Sequence, residues 1–450
     1  MEQAQSLRKK LWSLSYPTML SFALQAIYDM VDMVWVGKIS SKAVAGVTIF
    51  TTIFWIFDVL NEIIGSSSVS MISQSYGRGD RKRTLEIAEQ TISFKILMSL
   101  LTMVLLLVFL QPLLSLYTKD PEVIQTAKDY GYLRIYFLPV FFASFSVNTI
   151  FRCQGDAKTP MYIMGLSTLV NLVLDPIFMF ETIPFLGFKG FGLGVYGAAL
   201  ATVISICLSF LLGFFLLLKG HKGIYIRWKG LFRLIPSIDK KLLKIGVPNG
   251  LQQMLRFIFN ALVVHFVADY GVDAISAFGI AGKIYSTAFL PLNGLMMGGS
   301  TMVGHYLGQE DVSTAQRVSK IASRMNAGIM GGFLVTVLVF HQGIMGLFIQ
   351  DANVKAIGSQ MLIFSSFFLP FLGYGFGCGV AFMGSGYNRP LLYSGLLADW
   401  CIQLPLLYGI VRIFHLPISY LFASYMPADF ICFLLLFLAY KKGGWTKRRV

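Results

Sequence analysis

The chain has 450 residues, of which 56% are hydrophobic and only 13% charged, about half the charged share of a soluble domain. A water-exposed fold of that make-up would precipitate, and the same composition excludes collagen-like, disordered and disulfide-scaffold classes. A formal net charge of +15 would suggest nucleic acid in a soluble chain. Here repeated apolar runs of about 20 residues make the bilayer the expected solvent, so the charge must first be read as a topology signal.

Apolar stretches bounded by charge or by Gly, Pro and Asn clusters predict twelve spans. In chain order they lie near residues 12–36, 43–73, 88–112, 130–152, 161–181, 194–218, 242–268, 274–304, 322–345, 357–384, 391–411 and 416–440. The expected fold class is an all-α integral membrane protein of twelve transmembrane helices. Arg8, Lys9 and Lys10 precede span 1 as they would a signal peptide, but the run is too long and no small-residue cleavage site follows, so span 1 is expected to be retained. The five cysteines are scattered, with no Cys-x-x-Cys or Cys/His cluster, so neither zinc nor a redox motif is implied and they read as core packing.

An even number of spans puts both termini on one side. Twenty-six Lys and Arg fall on the tails and alternate connections of that side, eight of them in the segment 219–244, against seven on the other. The positive-inside rule therefore predicts cytoplasmic termini in a plasma (bacterial inner) membrane, and it removes the case for a nucleic-acid partner.

The chain also repeats itself. At an offset of 231 residues Pro17 meets Pro248, Ala43 meets Ala274, Gly77 meets Gly308 and Asp80 meets Asp311; at 230, Pro160 meets Pro390, behind Gly155 and Gly386. Six spans per half make a parallel repeat, so the predicted organisation is an N-lobe at 1–218, a cytoplasmic linker at 219–244 and a C-lobe at 245–450. Two similar six-helix bundles suit alternating access, and two complete halves in one chain make a monomer the expected state.

A charge at the bilayer centre costs about 3 kcal/mol or more, which makes each intramembrane ionisable group a functional candidate. The N-half holds Asp29 and Asp32 on span 1, Asp58 and Glu62 on span 2, Lys95 on span 3, Arg134 on span 4 and Asp175 on span 5. Asp29/Asp32 at i, i+3 and Asp58/Glu62 at i, i+4 each share a helix face, where two carboxylates repel and a proton or sodium ion would relieve them. The alternative for Asp58 and Glu62 is structural ion pairing with Lys95 or Arg134. In Asn171-Leu-Val-Leu-Asp175-Pro176 an amide and a carboxylate four residues apart precede a proline that frees a backbone carbonyl, a set of hard oxygens suited to a small cation, or alternatively a helix-end cap.

The C-half lacks that set, with Val263, Cys401 and Pro405 at the equivalents of Asp32, Asn171 and Asp175. Instead it embeds Arg256 and Lys283, with Asp399 and Asp429 as potential partners. An acidic half opposite a basic one suggests a cavity for cationic or zwitterionic solutes, with Tyr28, Asp29, Trp55, Asp58, Glu62, Phe141, Arg256 and Lys283 as candidate lining residues. Lone His265 and His341 read as packing or interface groups.

Taken together, Asp32-Met-Val-Trp-Val-Gly37, Gly77-Arg-Gly79-Asp80, Arg152-Cys-Gln-Gly155-Asp156-Ala-Lys158-Thr159-Pro160, Asn171-xxx-Asp175-Pro176 and Gly197-Ala-Ala-Leu-Ala-Thr202 resemble the multidrug and toxin extrusion (MATE) family. The resemblance covers essentially the whole chain. It implies a secondary antiporter, not an enzyme, that exports small organic compounds in exchange for protons or sodium ions and needs no cofactor. It further implies a cation site, suited to sodium or a proton, at Asp32, Asn171, Asp175 and Thr202, and a hinge at Pro17. Family members with a C-lobe site carry an acid about eight residues after the span 7 proline; here Arg256 follows Pro248 at that spacing, which argues against a C-lobe mechanism. Two other readings compete: a flippase for an amphipathic lipid-linked precursor, with Arg256 and Lys283 holding its phosphate, and a membrane sensor without turnover. Walker, Gly-x-Ser-x-Gly and His-Glu-x-x-His motifs are absent from the sequence.

Overall fold

The computed structural model describes residues 2–184 and 187–450, the side chains of residues 2–4 excepted. Helices α1 (Glu2–Gly37), α2 (Ser41–Gly77), α3 (Arg81–Tyr117), α4 (Pro121–Tyr136), α5 (Leu138–Cys153), α6 (Lys158–Met179), α7 (Gly194–Lys219) and the short α8 (Trp228–Leu231) are followed by α9 (Pro236–Ala268). Then come α10 (Val272–Ala288), α11 (Leu290–Gly308), α12 (Val312–Gly346), α13 (Ala352–Ser366), α14 (Leu369–Ser385) and α15 (Arg389–Gly395). The chain ends with α16 (Leu404–Tyr408), α17 (Ile418–Ala423) and α18 (Tyr425–Lys441). Among the described residues β pairing is confined to the isolated bridges Thr182 to Lys189 and His221 to Ile224. Among the described residues ten helices are long and apolar enough to cross a bilayer, or twelve if each of two bent pairs is one span, which is the number the hydropathy pattern predicts.

The two bent pairs are repeat equivalents. The α4–α5 pair bends by 56° at Phe137, and α13–α14 by 53° at Phe367 and Phe368. In both, a proline follows at once, Pro139 and Pro370, where its missing N–H is tolerated in the first turn of the new helix but would interrupt a continuous one. Turn chemistry repeats too. Asp80 caps α3 by accepting from Arg83 N at 2.9 Å, and Asp311 caps α12 from Thr314 N at 2.9 Å. Gly155 and Gly386 both adopt left-handed backbone, with φ of +75° and +74°, which is why glycine stands at each.

By compactness the chain forms two units, one running from Leu20 to Gly246 and the other comprising Val247–Val450 together with the residues up to Met19. The boundary near the N-terminus therefore falls inside α1, just after Pro17, and the basic linker groups with the first unit. In the first unit the core gathers Phe50, Phe54, Tyr130, Phe141 and Phe142. In the second it gathers Phe259, Val263, Phe266, Met361 and Phe422. Helices that gain little from hydrophobic burial in lipid pack through small residues. A Cβ added at Gly377 would lie 2.1 Å from Ser323 Cα, and one at Gly384 would lie 2.6 Å from the Ser300 carbonyl oxygen.

Span 391–411, expected as plain helix, contains π-helical turns at Leu396–Gln403 and Gly409–Ile413. Pro405 has no N–H to donate, and the ladder next to it slips to the wider spacing, with Leu404 N–H donating to Asp399 O. The cysteines are all free; Cys153 and Cys378 are buried, Cys207 and Cys432 are half-buried against the apolar clusters and Cys401 is exposed, so core packing holds for all but Cys401.

The linker is strapped to α3. Glu89 Oε1 accepts from Arg227 N at 2.9 Å, Ser93 Oγ donates to Leu231 O at 2.7 Å and Gln90 Oε1 accepts from Ile235 N at 2.8 Å. At the start of α6, Asp156 accepts from Lys158 N (3.0 Å), Thr159 N (3.1 Å) and Thr159 Oγ1 (2.7 Å), and it pairs with His221 Nε2 at 2.8 Å. Burial pushes the Asp156 carboxyl up, but the Thr159 bonds and the Lys222 and His221 charges outweigh it and hold the group below its ordinary value.

Candidate functional site

Four helices of the first unit converge on one buried polar group. Asp32 (α1), Asn171 and Asp175 (α6) and Thr202 (α7) are 6%, 0%, 0% and 0% exposed. The i, i+4 spacing on α6 lets Asn171 Nδ2 donate to Asp175 Oδ1 at 3.1 Å. Thr202 Oγ1 donates back to Ala198 O at 3.0 Å and accepts from Tyr28 Oη at 2.8 Å. Asp175 and Asp32 lie close enough for their charges to repel.

The fourth helix is α4. Tyr130 Oη donates to Asp32 Oδ2 at 3.2 Å, and Arg134 Nη1 donates in turn to Tyr130 Oη. Arg134 also lies over the rings of Phe54, Tyr130 and Phe141, with the cation 5.4, 5.0 and 5.5 Å from the centroids. Its charge therefore acts on Asp32 through a tyrosine rather than by direct pairing.

Three oxygens in this group are buried with no hydrogen-bond donor among the described residues: Asp32 Oδ1, Asn171 Oδ1 and Asp175 Oδ2. Unpartnered buried acceptors are costly, and two carboxylate oxygens with one amide oxygen are the hard donors that suit a small cation or a proton. Among the described residues no group of three or more His, Cys, Asp and Glu could hold a metal.

The remaining candidates separate. A cavity of about 80 Å³ beside the Asp32, Asn171 and Asp175 group is lined by Tyr28 and Phe141 together with Gln25, Asn148, Thr168 and Ser205, so Tyr28 touches cavity and Thr202 alike. Asp29, Trp55, Asp58 and Glu62 do not line it. Asp29 is exposed, and its charge acts on Tyr130 and Arg134. Trp55 is 44% exposed and packs edge-on against Phe54. Asp58 and Glu62 gather with Lys95 and Arg152 instead. Arg256 and Lys283 belong to the other unit and are exposed; the charge of Arg256 acts on Asp399 and Asp429. Pro17 stands inside the continuous α1. His265 Nε2 lies 3.4 Å from Arg412 Nη2, which pairs with Asp269 at 3.1 Å.

Tyr130 is not singled out by the sequence pattern, although its i, i+4 spacing from Arg134 places both on one face of α4. Arg152, which the positive-inside sum assigns to the connection after span 4, lies in the last turn of α5.

Comparison with known proteins identifies the family. The family described as MatE matches twice, at residues 17–177 and 248–408, two segments at the 231-residue offset of the internal repeat. The "Probable multidrug resistance protein YoeA" of Bacillus subtilis is 27% identical over 440 residues, covering 96% of this chain and 93% of that protein. The "Probable multidrug resistance protein NorM" of Thermotoga maritima is 26% identical, covering 100% and 95%. Among solved structures, a Vibrio cholerae MATE transporter, VcmN, solved as a point mutant, superposes with a TM-score of 0.89 at 20% identity, covering 98% of both chains. A MOP superfamily transporter from Pyrococcus furiosus superposes with 0.88 at 22%, covering 97% and 95%. The family match spans most of both halves, and the chain belongs to the MatE family of multi-pass membrane transporters and is not an enzyme.

Proposed function

We propose that the chain is a secondary antiporter that exports small organic compounds, cationic or zwitterionic, in exchange for protons or sodium ions. Its relatives' names support multidrug export, and the observation that carries the coupling is the set of three unpartnered buried oxygens on Asp32, Asn171 and Asp175. A proton or sodium ion taken up there removes the repulsion between the two carboxylates. Tyr28 connects that event to the cavity, because its hydroxyl bonds Thr202 while its ring forms part of the cavity wall.

Coupling requires that ion and solute favour opposite states of an alternating-access cycle; affinity alone shifts nothing. In the proposed cycle the ion binds from outside, solute leaves outward, α1 repacks near Pro17, and the ion departs inward before fresh solute binds. We place the protein in a bacterial plasma membrane with both termini cytoplasmic, on the basic bias of the tails and linker, and as a monomer of an N-lobe and a C-lobe joined by the linker.

The test is uptake of ethidium into inverted vesicles under a proton gradient and, separately, a sodium gradient. Gradient-driven uptake in wild type that is lost in Asp32→Asn is expected, and the effective gradient names the ion. Absence of uptake under both gradients would overturn the reading.

A further inference from the structure

A second set of ionisable groups, half-buried around the buried Lys95, lies in the first unit, apart from the first group. Asp58, Asn61 and Glu62 occupy one face of α2, Lys95 lies on α3 and Arg152 on α5. Lys95 is 2% exposed and Asn61 5%. A Cβ placed on Gly65, one turn along α2, would lie 3.5 Å from Lys95 Nζ and 3.7 Å from Glu62 Oε2. Glycine at that position leaves the space into which amine and carboxylate both reach.

The charges divide unequally. Glu62 feels both Lys95 and Arg152, whereas among the described residues the cation acting on Asp58 is Lys95, which Glu62 shares. Asp58 is thus the acid whose charge is least answered. No group of this set acts on Asp32 or Asp175.

Asn61 fits Asp58 in either protonation state. Its Nδ2 donates to Asp58 Oδ1 at 3.2 Å, while its own Oδ1 is buried with no donor among the described residues. Turning the amide over would let Oδ1 accept from a protonated Asp58, so one hydrogen bond survives gain or loss of the proton. A closed salt bridge has no such freedom, and in a medium of low dielectric a charge left without a partner is heavily penalised.

We propose that Asp58, supported by Asn61 and Lys95, is a second proton-exchange site of the N-terminal half. The step is simple acid–base chemistry: Asp58 carboxylate binds one proton from the aqueous phase and later returns it, with Lys95 remaining an ammonium as its counter-charge. The inference rests on the antiport reading only for its role in transport, where it adds a second proton to each cycle.

The test is infrared titration of the Asp32→Asn/Asp175→Asn double variant in lipid, which removes the first group and needs no substrate. A protonated-carboxyl component that grows as pH falls is expected in the difference spectrum against the same variant carrying Asp58→Asn, which subtracts the remaining acids. Lys95→Met should move its midpoint by about one pH unit or more toward higher pH, because a removed cation no longer favours the ionised form. A difference spectrum with no titrating component, or a midpoint unmoved by Lys95→Met, would overturn the proposal. If the Asp58 variant fails to fold, the Lys95 shift decides alone. In vesicles, Asp58→Asn should roughly halve the protons moved per ethidium. Lack of gradient-driven uptake would refute antiport and leave the infrared result standing, so the two readings fail separately.

Discussion

Asp32 is held between a tyrosine that donates to one of its oxygens and an open site around the other. Replacing it by asparagine keeps its shape and removes the charge, as does Asp175→Asn. Each is expected to abolish gradient-driven ethidium uptake while the protein still inserts and purifies normally; wild-type rates in either would remove the site assignment. Tyr130 is a subtler case. Tyr130→Phe takes the donor from Asp32 Oδ2 and the acceptor from Arg134 together, and a bond to a charged group contributes about 1.5–3 kcal/mol. Uptake should persist, with the half-saturating ion concentration changed by roughly tenfold or more; an unchanged value would mean the Arg134–Tyr130 pair is structural only. The sequence made the acids of this group legible because charges are conspicuous in apolar spans. It did not mark Tyr130, since one tyrosine among 20 carries no signal until α4 turns it toward α1. Nor did it separate Asp58 and Glu62 from the cavity, because one-dimensional spacing fixes a helix face but not the helix it meets.

Helix boundaries were readable wherever proline, glycine or a capping side chain fixes them, and less so where tertiary contacts decide. Pro139 and Pro370 explain both bends, yet an apolar run such as 130–152 reads as one span whether straight or broken. Close packing yields a direct prediction. Gly377→Ala pushes a methyl group against the Ser323 backbone at 2.1 Å, so α12 and α14 must separate, at a cost of about 1–3 kcal/mol; a lowered thermal midpoint in detergent is expected, and no change would show that the pair is loosely packed. The turn before α6 gives a pH prediction. Asp156 has a lowered folded value, so its contribution to stability is present above the ordinary carboxylate value near 4 and is lost as pH falls through the folded one. Asp156→Ala should cost about 1 kcal/mol at neutral pH and flatten the acid limb of the stability curve, which thermal melts between neutral and acid pH would reveal.

Across the whole molecule the fold is duplicated while the chemistry is not. Offsetting by 231 residues, Tyr28 becomes Phe259, Asp32 Val263, Asp58 Phe289, Glu62 Asn293, Lys95 Asn326, Tyr130 Met361 and Arg134 Ser365. Each replacement keeps a comparable volume or helix face, as packing of a repeat demands, and each discards the ionisable group. Both proposed ion sites therefore lie in one half. The acids within the spans of the other half, Asp399 and Asp429, share Arg256 as a cation, and Asp399 sits on the π-helical turn ahead of Pro405. Arg256 offsets part of the charge of those carboxylates, whereas no cation acts on Asp175 among the described residues. The expected outcome is that Asp399→Asn/Asp429→Asn lowers thermal stability, by leaving Arg256 without its partners, yet retains uptake with the wild-type dependence on the driving ion. Loss of ion-driven uptake in that double variant, with Asp32→Asn still active, would assign coupling to the C-terminal half instead.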